Sequence, residues 1–192
     1  MEVCRSGLVT GMQQFITDNF VHILCALILV SRLGDIGSTY LVTPKLKLEA
    51  NPIVKKLGWP FAVLTLFVCL VPYWSTSAGI IVLVPSLLVS ASNTSRIWFV
   101  KTYGEEEYLE LLKQVARKGK LAPALAGTIV SALFIATAGA VLVFLSPDPS
   151  RDWGWWFGIG ILSYAFMMGF YGSLYFIKLF RSAKRGENKQ PS

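Results

Sequence analysis

Charge is scarce in this sequence. Only 15% of its 192 residues are Asp, Glu, Lys or Arg, against about 25% in a typical soluble domain. With 54% hydrophobic residues and a mean hydropathy of +0.55, that shortage excludes an ordinary soluble globule and a disordered chain. Histidine is nearly absent. The single His22 cannot make a two-histidine metal motif, and it leaves no serine with a credible catalytic partner. The three cysteines, Cys4, Cys25 and Cys69, form no CxxC pair, which argues against a disulfide framework and against a zinc site. The HExxH, GxSxG, P-loop and D-G-x-x-A-R patterns are all missing. Strand-like alternation is missing too, so any membrane crossing has to be a helix. A cleavable leader fits poorly, because only Arg5 precedes the first apolar run and no small-residue cleavage site follows it.

Long apolar runs are abundant. Five of them span about 20–42, 59–77, 79–100, 121–145 and 155–179. Each is long enough to cross a hydrocarbon core of ~30 Å at ~1.5 Å rise per residue. The expected fold is all-α: one membrane domain over 1–192, a polytopic bundle of five transmembrane helices in a lipid bilayer. No room remains for a separate soluble domain. The net charge of +7 could point to nucleic acid, but the basic residues sit beside the apolar runs, so no nucleic-acid partner is expected. Three segments, 44–58, 101–120 and 178–189, hold 14 of the 18 Lys and Arg residues. Five crossings put all three on one side, and the positive-inside rule makes that side cytoplasmic. The N-terminus is then outside and the C-terminus cytoplasmic. Asp148 and Asp152 fall in the outer loop against one cation, Arg151.

The one long polar insert, about 104–118, opens with Glu105, Glu106 and Glu107 and closes with Lys113, Arg117 and Lys118. Acids first and bases last suit a helix dipole. Tyr108, Leu111, Leu112 and Val115 recur at helical spacing. An amphipathic cytoplasmic helix is expected, as a packed connector or a partner-binding surface. Run four carries small residues every fourth position, Ala124, Thr128, Ala132, Ala136 and Ala140, and run five has Ala165, Gly169 and Ser173. Such rows let helices approach closely in lipid, within one chain, between two copies in a homo-oligomer, or against another membrane protein. Trp153, Trp155 and Trp156 read as an interfacial aromatic belt.

The stretch with chemistry is 32–52. Asp35 lies about 22 Å below the outer entry of the first run, and Asn93 of the third run lies at nearly the same depth. An acid at that depth costs roughly 2.5–3.5 kcal/mol on insertion scales and is expected to face the bundle. Asp35, Thr39, Glu49, Asn51, Asn93 and Arg96 are expected to form a polar pocket open to the cytoplasmic side. Asp35 and Glu49, with neutral oxygens around them, suit a divalent cation such as Mg²⁺ or Ca²⁺, a proton relay or a basic substrate group. The structural alternative is a buried ion pair of Asp35 with Arg32 or Arg96. Asn51 before Pro52 also suits a helix start.

Asp35-Ile-Gly-Ser38-Thr39, followed by Glu49-Ala-Asn51-Pro52, resembles the signature of an uncharacterised family of small prokaryotic membrane proteins, domain of unknown function 5658. Close likeness covers about a tenth of the chain. It implies that these residues form a site, and that the membrane is the prokaryotic cytoplasmic one. It implies no reaction. Three roles remain open: binding or moving a small cation or polar ligand, serving as a structural or assembly subunit, or acting as a metal-dependent enzyme on a lipid phosphate. Lys45, Lys47, Lys55 and Lys56 would attract the headgroup in the last case.

Overall fold

The computed structural model describes residues 14–49, 51–149 and 153–187. Cys4, Arg5, Ala50, Arg151, Asp152 and Lys189 lie outside them. Among the described residues there is no strand. The elements are α1 (Phe20–Val42), α2 (Pro52–Leu64), a 3₁₀ helix (Thr65–Tyr73), α3 (Thr76–Tyr103), α4 (Glu105–Lys118), α5 (Leu121–Leu145) and α6 (Trp153–Glu187). Five stretches are long and apolar enough to cross a bilayer: Phe20–Val42, Ile53–Tyr73, Thr76–Tyr103, Leu121–Leu145 and Trp153–Arg185. The outward faces are apolar. Phe67, Phe134, Phe144 and Phe166 are 68–84% exposed, which lipid accepts and water would not.

The second crossing departs from a plain helix. Asn51 caps α2, its Oδ1 accepting the Ile53 N–H at 2.9 Å, and proline follows in the first turn, where its missing N–H costs nothing. The helical span therefore begins at Ile53, six residues before the expected start at Trp59. Gly58 then breaks the helix with φ of 72°, a value that favours glycine. Beyond Leu64 the chain winds as a 3₁₀ helix for nine residues, where three or four are usual.

The bundle is a row: the 3₁₀ helix lies against α1 and α3, α3 against α6, and α6 against α5. Leu24 and Ile28 of α1 pack with Ile80, Leu83 and Val84 of α3, and Trp156 and Ile161 of α6 close that core. The close approach of α5 and α6 is made by glycine. A Cβ on Gly158 would lie 2.7 Å from the Gly139 carbonyl oxygen, and one on Gly169 would meet Ala132 at 3.3 Å. Ala132 and Gly169, one member of each expected row, thus meet inside one chain, while Gly139 and Gly158 belong to neither row.

Two ends can be told apart. At one, Phe20 packs edge-on to Trp153 with ring centroids 4.1 Å apart, and His22 Nδ1 shares a hydrogen bond of 2.9 Å with the Tyr73 hydroxyl. At the other, the basic end, α4 lies against the last turns of α6 through Ala116, Leu179, Phe180 and Ala183, with Leu109 and Leu112 beside them. Helix α4 is therefore a packed connector. Its inward face is Leu109, Leu112 and Ala116, while Leu111 and Val115 of the expected face are exposed.

Candidate functional site

Arg32 is the thirteenth of the 23 residues of α1, so it sits at mid-span. Its Nη1 donates to Asp35 Oδ2 at 2.6 Å and to Ser86 Oγ of α3 at 3.4 Å. Its Nη2 donates to Thr65 Oγ1 at 2.5 Å. Thr65 is the first residue of the 3₁₀ helix, and its hydroxyl donates to the Ala62 carbonyl at 2.5 Å. One guanidinium thus joins three elements where the second crossing changes its winding. Both ionic side chains are largely covered, at 19% and 15% exposed. A guanidinium has five N–H donors in a rigid fork. Among the described residues the buried Arg32 Nε has no partner.

Polar groups continue from this pair toward the basic end. Ser90 Oγ donates to the Ser31 carbonyl at 3.4 Å, and Gly34 makes room for it, since a Cβ there would lie 3.2 Å from Ser90 Oγ. Ser38 Oγ donates to the Asp35 carbonyl at 3.1 Å. Asn93 Nδ2 donates to Thr39 Oγ1 at 2.9 Å, joining α1 and α3 one turn further on. At the mouth, Glu49 Oε1 accepts the Asn51 N–H at 2.7 Å, and the Glu49 charge acts on Asp35.

The residues expected from sequence are distributed along this seam. Asp35 is at its head, Thr39 and Asn93 touch in its middle, and Glu49 and Asn51 sit at its mouth. Arg96 is placed apart: it is exposed, and its charge acts on Tyr175 of α6. Of the two open pairings for Asp35, the structure adopts Arg32. Thr65 and Ser86 were not anticipated. The signal for Ser86 lies in the row Ser86, Ser90, Asn93, which steps by four and three along one helical face. Nothing marks Thr65 in an apolar run. Among the described residues no three His, Cys, Asp or Glu side chains converge to hold a metal ion. A divalent ion at Asp35 and Glu49 would depend on neutral oxygens for the rest of its shell, which normally counts at least six ligands.

Beside this end of the seam, the loop after α1 is clasped to the first residues of α4. Glu105 is buried. Its carboxylate accepts from the Thr43 hydroxyl, from the Lys45 N–H at 3.0 Å and from the Lys47 N–H at 2.8 Å. Glu106 beside it pairs with the ammonium groups of Lys45 at 2.8 Å and Lys47 at 2.7 Å. Burial alone would raise the Glu105 pKa, but the hydrogen bonds from Thr43, Lys45 and Lys47 outweigh it and bring the value below the ordinary one. Hydrogen bonds and charge from Lys45 and Lys47 take Glu106 down to about 2. A carboxylate with a lowered folded pKa stabilises fully above its unfolded value of about 4.3 and loses that contribution as pH falls through the lowered one. Amide exchange at Lys45 and Lys47, taken relative to the intrinsic rate at each pH, should therefore stay slow at neutral pH and quicken below about pH 4. Glu105→Ala should quicken it at pH 7 and cost about 1.5–3 kcal/mol of stability. Unchanged exchange in that variant would show that the carboxylate does not hold the loop.

No protein-family model, curated protein or solved structure matches the chain. The fold itself defines the class: a multi-pass α-helical membrane protein, here with a charged pair inside the bundle.

Proposed function

We propose that this protein binds and moves a small monovalent cation or a proton along the seam between α1 and α3, with its basic end in the cytoplasm. The observation that carries the reading is the Arg32–Asp35 pair at mid-span, from which side-chain oxygens descend through Ser90 and the Thr39–Asn93 contact to Glu49. Ionisable groups at membrane depth are expensive and mark ion pathways and proton relays more often than plain packing. Asp35 is the charged ligand, and Arg32 is the resident cation that an incoming charge displaces. Thr39 and Asn93 are neutral ligands, with Glu49 and Asn51 at the mouth. A monovalent ion or proton suits this set better than a divalent one, since among the described residues no third acid converges. The positive-inside rule supports the orientation, because the loops at the basic end carry most of the Lys and Arg residues.

The test is flux in proteoliposomes driven in turn by Na⁺, K⁺ and proton gradients, each read by an internal dye selective for that ion. Asp35→Asn keeps an acceptor for Arg32 but not its counter-charge, so it is expected to abolish flux and to lower the melting temperature, though by less than a variant that removes the Arg32 guanidinium. Wild-type flux no greater than that of empty liposomes, or undiminished flux in Asp35→Asn, would overturn the reading.

A further inference from the structure

A second site of different chemistry lies at the basic end, away from the seam. Between the start of α5 and the last turns of α6 there is a groove of about 470 Å³, within the usual range for small-ligand sites. Its rim is cationic: Lys120, Arg181 and Lys184, all exposed. Among the described residues none of the three has an ion-pair partner, and no acid lines the groove. Its wall, running toward the membrane, is Leu121, Leu125 and Ile177. Helix α5 begins at this rim with no side-chain cap, so its dipole adds positive potential there. By contrast, Lys45 and Lys47 at the same end are already paired with Glu106.

We infer that this groove is a binding site for one anionic phospholipid, its phosphate held by Lys120, Arg181 and Lys184 and one acyl chain lying along Leu121, Leu125 and Ile177. Charge complementarity and position choose the occupant. The cations sit where a crossing helix leaves the bilayer, at headgroup level, and the apolar wall continues below them into lipid. A soluble anion would use the rim and leave the wall unexplained. A zwitterionic lipid would use the wall and bring a second cation to the rim. Membrane-surface cations contribute about 1 kcal/mol each toward anionic lipid, so three give a preference of roughly a hundredfold over zwitterionic lipid. That preference weakens with salt, because exposed charges are screened over about 10 Å at 0.1 M.

The experiment uses the full-length, delipidated protein in mild detergent. Melting temperature is followed on adding phosphatidylglycerol, phosphatidylcholine or inorganic phosphate. Phosphatidylglycerol should raise it, and the other two should not. The triple variant K120Q/R181Q/K184Q should lose the response. The variant K55Q/K56Q/K101Q removes the same charge from the same end and should keep it. Equal loss in both variants would mean diffuse surface attraction and overturn the site. An equal shift with phosphate alone would overturn the lipid. A photoreactive phosphatidylglycerol on wild-type protein gives a readout that needs no variant: labelling within 119–125 and 177–184 supports the site, and labelling confined elsewhere overturns it. Asp35→Asn should keep the lipid response, so this inference and the ion-pathway reading fail separately.

Discussion

Replacing Arg32 with methionine should destabilise the protein by about 3–5 kcal/mol, the cost of breaking a buried ion pair from one side. The cause is the group left behind. Asp35 would stay largely covered, at 15% exposed, without its counter-ion, and Thr65 and Ser86 would lose their donor. The loss should shrink at low pH, where a protonated carboxyl needs no cation. In the double variant Arg32→Met/Asp35→Leu most of the stability should return, because an apolar pair of similar volume avoids the desolvation that a buried pair suffers. Denaturant titration in detergent reads all three proteins. The same double variant divides structure from transport: stable and silent in the flux assay if the pair belongs to the pathway, stable and active if it only sets helix register. An Arg32→Met protein as stable as wild type would show that the pair is not mutually dependent.

Gly158→Leu should be nearly as damaging, at about 3 kcal/mol, the upper end of overpacking costs. The added Cβ would fall 2.7 Å from the Gly139 carbonyl oxygen, 2.7 Å from Val143 Cγ2 and 3.0 Å from the Val143 amide nitrogen. Two of these atoms are backbone, so no side-chain rotation relieves the clash, and α5 has to move as a body. Gly127→Leu is the matched control. It adds the same side chain to α5, where a Cβ meets nothing within 4 Å, and should change the melting temperature little. Similar melting in the two variants would mean that α5 and α6 are not held at this distance by glycine.

The helical crossings were readable because bilayer thickness sets a run length, and apolar runs of that length stand out against 15% charge. Finer features were less readable, for specific reasons. The expected small-residue row keeps strict four-residue spacing, which drifts around a helix of 3.6 residues per turn. The real contact face steps from Ala132 to Gly139, opposite Gly169 and Gly158, and two of these glycines, Gly139 and Gly158, lie outside the expected rows. The early start of the second crossing followed from Asn51 capping, which pattern alone suggested, whereas its 3₁₀ winding has no period in the sequence. Sequence leaves two arginines open as the Asp35 partner, because depth puts Arg32 and Arg96 on equal terms and only helix rotation separates them. Glu105 stood out as the first acid of a dipole-matched helix, but its three partners come from a loop some 60 residues earlier.

The nine-residue 3₁₀ segment carries a mechanical consequence. At about 2.0 Å per residue it covers about 18 Å, where an α-helix would cover about 13.5 Å. Its winding differs by about 20° per residue, or about half a revolution over its length. Both ends are tied to the same neighbour: Thr65 to Arg32 and Tyr73 to His22, and both partners lie on α1. Helix α1 therefore acts as a ruler for the second crossing, setting its reach and its torsion together. Rewinding into α form would draw the ends about 4.5 Å closer, and two tethers on one rigid helix cannot follow that. One of them has to open first, and one of the two, Arg32, is the residue that also holds Asp35.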